Sequence, residues 1–169
     1  MNELHMQHGT DWKGQDLSGW YISEKYDGCR AFWDGQTLWS RGGIAIEIPD
    51  DWAEALPAGQ MLDGELYFGV DGSRKCASAI RFGKFLDGMS YRVFDAPQEA
   101  GGYVERLAAV EANGIVMPVS VRVAENSADA LGEMRRIQER GGEGVMARHP
   151  GLGYQTGRTS QLLKVKYED

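Results

Sequence analysis

The sequence predicts an α+β domain of antiparallel β-sheets flanked by helices. Three observations carry that reading: short strands that alternate in polarity and pair through tight turns, helical stretches that interrupt the strands irregularly, and an average globular composition. The chain has 169 residues, of which 42% are hydrophobic and 25% charged. That length can bury a core without disulfides or a structural metal, and the composition excludes a disordered chain. No run approaches the roughly 18 to 20 apolar residues of a membrane span, and the opening MNELHMQHGTDWKG has neither the basic nor the apolar region of a signal peptide. A cytoplasmic protein without membrane contact is the expectation. Cys29 and Cys76 lack CxxC spacing and read as reduced thiols. The net charge of −7 argues mildly against nucleic-acid binding through the overall field. It leaves room for a local basic surface at Arg74, Lys75, Arg81 and Lys84, although a solvated helix face is the plainer reading of such a cluster.

Along the chain, residues 1 to 19 form an irregular lead-in to one domain spanning 1 to 169, and His5 and His8 receive no role. A strand is predicted at YISE from Tyr21, then a hairpin of RAFW and TLWS about Asp34-Gly35-Gln36. MLDGELYF (61 to 68) alternates, with Leu62, Leu66 and Phe68 on one face and Asp63, Glu65 and Tyr67 on the other, so two carboxylates share a face. Further strands are expected at 90 to 96, 115 to 123, 143 to 148 and 161 to 167, with Pro118 weakening the second of these or placing it at an edge. Helices are expected at 73 to 85, at 99 to 113 with Val104, Leu107, Ala108 and Val110 on one stripe, and at 128 to 140 between Ser127 as N-cap and Gly141 as stop. No repeat or linker divides the chain, hence one domain.

The phosphate-cradling loops are absent: Gly83-Lys84 is followed by Phe85, and GLGYQTG (151 to 157) lacks the Rossmann spacing. The informative segment is Glu24-Lys25-Tyr26-Asp27-Gly28-Cys29-Arg30, a lysine at a strand end followed by Asp-Gly and an arginine. A lysine amine, with a reference pKa of roughly 10.4, needs cationic neighbours or burial to act as a nucleophile. Lys164 and Lys166, two apart on a strand, project from one face while Leu163, Val165 and Tyr167 take the other, which suits either a phosphate site or a polar edge strand. KxDGxR resembles the nucleotidyl-attachment motif of the covalent nucleotidyltransferases, the superfamily of DNA ligases, RNA ligases and mRNA capping enzymes, and the arginine favours the DNA ligases. The resemblance continues in family order through LDGELY (62 to 67), YRVFDAP (91 to 97), GGEGVMAR (141 to 148) and LLKVK (162 to 166), spanning about residues 21 to 167. SEKYDG, the Trp-rich hairpin and SRGG look most like the small bacterial and phage ligases.

That resemblance implies the ligase and capping-enzyme nucleotidyltransferase fold, which is ATP-grasp-like, with no OB-fold in this chain. It implies ATP and Mg²⁺ as cofactors, with Lys25 as the catalytic residue that takes up AMP for transfer to a DNA 5′-phosphate and nick sealing. The backbone of Glu24 would read the adenine edge, Phe94 would stack on the base, and Glu65 would bond the ribose. Arg30 and Arg41 match the arginines near the ribose and the nick phosphates, and Lys164 and Lys166 those on the α-phosphate. Glu65 and Glu143 match the metal-associated positions, with Asp63 beside the first, and Arg158 is a further candidate for the pocket. Nicked double-stranded DNA is the implied partner, with the protein a monomer in a bacterial or phage-infected cell. DNA ligases of this kind continue past LLKVK into an OB-fold domain, whereas this sequence stops at Asp169; the expectation is an excised domain or a minimal protein, with the OB-fold domain separate or missing. The alternatives are an RNA ligase or capping-type nucleotidyltransferase, and a non-catalytic nucleotide- or DNA-binding module. The presence of Lys25, Glu65, Glu143, Lys164 and Lys166 disfavours the module.

Overall fold

The computed structural model describes residues 6 to 166. In chain order the strands are β1 (Gln7–Asp11), β2 (Tyr21–Lys25), β3 (Cys29–Trp33), β4 (Leu38–Ser40), β5 (Leu62–Tyr67), β6 (Ser90–Asp95), β7 (Val116–Pro118), β8 (Arg122–Val123), β9 (Gly144–Arg148) and β10 (Gly157–Val165). The helices are α1 (Asp50–Ala55), α2 (Ser73–Phe82), α3 (Tyr103–Ala108) and α4 (Ser127–Glu139). The mixture is α+β, as expected. It divides into two compact units, one of Asp27–Pro118 with Met6, the other of Gln7–Tyr26 with the chain from Val119 onward.

The first unit holds the sheet β4-β3-β5-β6-β7, antiparallel except for the parallel pair β6-β7. The β3-β4 hairpin forms where expected, because the Asp34 carboxylate accepts the amides of Gln36 and Thr37 and the Trp39 indole N–H. Strand alternation sorts the residues: Ala31, Trp33, Leu62, Leu66, Tyr91 and Val93 enter one core with Trp52 of α1 and Cys76 and Ala79 of α2. The Tyr91 hydroxyl lies 2.8 Å from the Ala31 carbonyl and 3.0 Å from that of Leu62, so its single proton serves three strands. Gly83, at φ 67°, ends α2 three residues before the predicted limit.

The second unit holds β1-β10-β9-β2-β8, in which β1 runs parallel to β10 and the remaining pairs are antiparallel. Ala130, Met134 and Ile137 of α4 pack with Ile22, Val145, Ala147, Leu163 and Val165 from one sheet face. The alternate residues Ser23, Lys25, Met146 and Lys164 take the opposite face. Alpha-helix α4 ends in a Schellman arrangement: the Gly141 amide donates to the Gln138 carbonyl and the Gly142 amide to that of Ile137, with Gly141 at φ 89°.

Several expectations are corrected. Residues 7 to 11, within the expected irregular lead-in, form β1; their polar sequence hides the strand because its bonds are backbone bonds to β10. The strand expected over 115 to 123 breaks after Pro118 into β7, an edge strand of the first unit, and β8, an edge strand of the second. The helix expected over 99 to 113 is confined to α3, since Gly101 at φ 96° and extended Gly102 precede it. Its buried stripe is Tyr103, Arg106, Leu107 and Val110 rather than one through the exposed Val104 and Ala108, because Arg106 pairs with buried Asp95. Asn126, not Ser127, caps α4, accepting the Asp129 amide at 2.8 Å. Helix α1 was not anticipated from the sequence. The expected position of Tyr167 lies outside the described residues.

Candidate nucleotidyltransferase site

In the second unit, Lys25 ends β2 directly opposite Gly144, the first residue of β9. The Lys25 ammonium donates to Oε1 of Glu143 at 2.7 Å, and the Lys166 ammonium approaches the same oxygen at 3.3 Å. One carboxylate therefore gathers two cations that are 141 residues apart in sequence, all three side chains being part-buried. Lys164 lies on the Lys25 face by register, through Met146 and Ser23. Glu24 turns its side chain the other way, where its Oε1 accepts the Arg140 guanidinium at 2.7 Å. Arg158 is exposed on β10.

In the first unit, Arg30 of β3 pairs with Glu65 of β5, which pairs in turn with Arg92 of β6, and Phe32 pairs with Asp63, so all five take the face away from the core. The Arg30 guanidinium donates in bidentate fashion to Asp63, Nε to Oδ1 at 2.9 Å and Nη2 to Oδ2 at 2.6 Å. The register slips between Asp63 and Gly64, leaving Phe94 as the extra residue on β6. Phe94, next after Val93, falls by alternation on the Arg92 face, away from the core that takes Tyr91 and Val93, and its half-buried ring lies 5.0 Å from the Arg30 guanidinium carbon. Glu65 Oε2 accepts the Gly28 amide at 3.1 Å. A Cβ at Gly28 would fall 1.8 Å from the Leu66 carbonyl oxygen, so the Asp-Gly of the lysine motif needs glycine for this close approach. Arg41 is exposed in the turn after β4, closed by the Gly43 amide on the Ser40 carbonyl.

Lys25, Glu143, Lys164 and Lys166 thus share one face in the second unit, and Arg30, Glu65 and Phe94 another in the first. Asp63 is fully buried, and the Arg30 pair holds it. Arg92, Gln138 and Arg140 were not singled out from the sequence; the place of Arg92 within YRVFDAP was the available signal for the first, and nothing local marks the others. Within the first unit, burial pushes the Cys76 thiol up to about 12, with the nearby Cys29, Glu65 and Asp27 adding to the effect. Burial, then Glu65 and Asp27, also raises the Cys29 thiol.

No protein-family model matches the chain. It is similar to a DNA ligase of Haemophilus influenzae, with 29% identity over 166 residues, covering 92% of this chain. The chain spans 60% of that relative's length. A Lig E DNA ligase structure superposes with a TM-score of 0.83 at 25% identity, covering 96% of this chain and 68% of that one. The fold is that of a DNA ligase nucleotidyltransferase domain. The ligase fold recurs in the Chlorella virus DNA ligase-adenylate, with a TM-score of 0.77 at 23% identity over 95% of this chain and 66% of that one. The ATP-dependent ligase of bacteriophage T7, solved with ATP, gives a TM-score of 0.66 at 16% identity, covering 96% of this chain and 68% of that one.

Proposed function

We propose that this chain is the adenylation part of an ATP-dependent DNA ligase, in which Lys25 forms a covalent bond to AMP. The observation that supports it most is the pairing of Lys25 with Glu143 and Lys166, which gives a lysine of the right motif an acceptor and a cationic neighbour. In the first step the Lys25 amine, after losing a proton, attacks the α-phosphorus of ATP. The new bond is N–P, the bond broken is that to the bridging oxygen, and pyrophosphate leaves with that electron pair. Lys164 and Lys166 stabilise charge on the α-phosphate oxygens, and cations fixed before the reaction do so with little reorganisation. AMP then passes to a DNA 5′-phosphate, and the adjacent 3′-hydroxyl displaces it to close the nick.

In the first unit, Phe94 offers a ring to stack on adenine, Glu65 an acceptor for a ribose hydroxyl, and Arg30 and Arg41 guanidinium forks for the ribose and nick phosphates. The backbone of Glu24 takes the adenine edge. Among the described residues no group of three or more His, Cys, Asp or Glu is arranged to hold a metal. Glu65 in the first unit and Glu143 in the second each offer a carboxylate of the kind Mg²⁺ takes, since that ion uses one or two protein oxygens and draws its other ligands from phosphate and water. Held by either carboxylate, Mg²⁺ would offset charge on the departing pyrophosphate. Under this reading the two compact units act as one nucleotidyltransferase domain. Its partners are nicked double-stranded DNA and an OB-fold domain, and it works as a monomer in the cytoplasm.

The test compares adduct formation from labelled ATP and GTP, then sealing of nicked DNA and nicked RNA with an OB-fold domain supplied. Labelling by ATP and sealing of DNA are expected. A preference for GTP would replace the reading with a capping enzyme, and a preference for nicked RNA with an RNA ligase.

A further inference from the structure

Two side chains at the end of α4 hold the turn that carries Glu143, and neither belongs to a motif considered above. The Gln138 amide donates to the Glu143 carbonyl at 3.0 Å. The Arg140 guanidinium donates to Glu24, the residue before the lysine, at 2.7 Å. Between them the chain is fixed by the Schellman closure, in which Gly141 and Gly142 bond back to Gln138 and Ile137. Lys25 and Glu143 therefore meet across two short arms of backbone. One arm is the last two residues of β2, the other runs from Arg140 to Glu143, and the Arg140–Glu24 pair closes the loop on the opposite side of the sheet from the lysine.

We propose that Arg140 is a positioning residue for Lys25, its ion pair with Glu24 fixing the lysine-bearing end of β2 against the turn that presents Glu143. The inference rests on the adenylation reading given above. Its physical basis is the contrast between what such a pair does for stability and for geometry. The Arg140 side chain is 59% exposed, and an ion pair that open to solvent contributes little to stability. Glu24 is only 17% exposed, however, and its register on β2 leaves it no slack: moving it moves Lys25. A reacting atom displaced by about 1 Å loses on the order of a hundredfold in rate, so a partial loosening shows in rate without showing in stability. Arg140 and Glu24 also border a depression of about 260 Å³ with Ser23, Tyr26, Arg122 and Glu133, so on that side the pair adds to the backbone ladder with β9 where packed side chains do not fill the space.

The experiment uses the chain as it stands. Single-turnover formation of the AMP adduct is measured over a range of ATP concentrations for the native chain, Arg140→Ala, Arg140→Lys, Glu24→Gln and the double variant Glu24→Gln/Arg140→Ala. Hydrogen exchange of residues 140 to 146 and the melting temperature are followed alongside. Arg140→Ala is expected to lower the rate at saturating ATP about tenfold. The ATP concentration for half-maximal rate should stay within about twofold and the melting temperature near native, since surface changes have small effects on stability. Exchange over 140 to 146 should quicken, Arg140→Lys should recover part of the rate, and the double variant should be no slower than either single one. Native rates in Arg140→Ala, a loss confined to the ATP requirement, or additive losses in the double variant would each overturn the inference while leaving the adenylation reading in place. If the native chain, folded, forms no adduct with or without an OB-fold domain, the adenylation reading fails and the inference falls with it.

Discussion

Replacing Arg30 tests whether the polar face of the first unit is held by its buried charge. Arg30→Ala removes both charge-assisted bonds to Asp63, a carboxylate with no exposure to solvent. Breaking one side of a buried pair costs roughly 3–5 kcal/mol, because the remaining charge is left in a poorly solvating interior. The Arg30 side chain is itself 16% exposed, which places the expected loss at the low end, about 3 kcal/mol. For a chain of this length that corresponds to a fall in melting temperature of about 6–12 °C. Calorimetry and urea denaturation are the assays, and Arg30→Met with Asp63→Leu is the control. Removing both charges while keeping apolar volume should destabilise less than Arg30→Ala alone. A loss below about 1 kcal/mol, in the range of exposed pairs, would refute the reasoning. So would a double variant less stable than the single one.

Phe94→Ala should raise the ATP concentration needed for half-maximal adenylylation about tenfold, the loss of roughly 1.4 kcal/mol of base stacking, while Phe94→Tyr should stay near native; equal values for all three in a titration of labelled ATP would remove Phe94 from the nucleotide site. Cys76, its thiol pushed up to about 12, should resist thiol reagents at pH 8 in the folded chain and react on unfolding, as timed labelling with mass detection will show. The sign of the linkage follows: the unfolded thiol ionises from about 9 and the folded one only near 12, so the unfolded state holds fewer protons between them and stability falls as pH rises through that window. Cys76→Ser should flatten that part of the profile.

The parts of the fold visible in the sequence are those whose signals are local. The Asp34-Gly35 turn, the alternation of LDGELY and the Gly141 stop each depend on residues within a few positions, and each appears where read. What escaped depends on partners far away in sequence. Strand β1 is polar and becomes a strand only by bonding to β10, and Arg106 reads as a charge breaking an apolar stripe until Asp95 is seen beneath it. The site is legible as a set of residue types in order, since Lys25, Glu143 and Lys166 each stand in a motif of the sequence and meet in the structure. The bulge beside Phe94 is not, because it arises from the pairing of β5 with β6 rather than from the sequence of either strand. Arg140 escaped for the same reason, its role lying wholly in a contact with a residue 116 positions away.

The central claim is that Lys25 is the residue that bonds to AMP. Intact-mass measurement of the chain after incubation with ATP and Mg²⁺, with peptide mapping of any adduct, tests it most directly. The account predicts the mass of one added AMP on Lys25, and its absence in a folded Lys25→Ala variant. An adduct that persists in Lys25→Ala, or that maps to another residue, would contradict it.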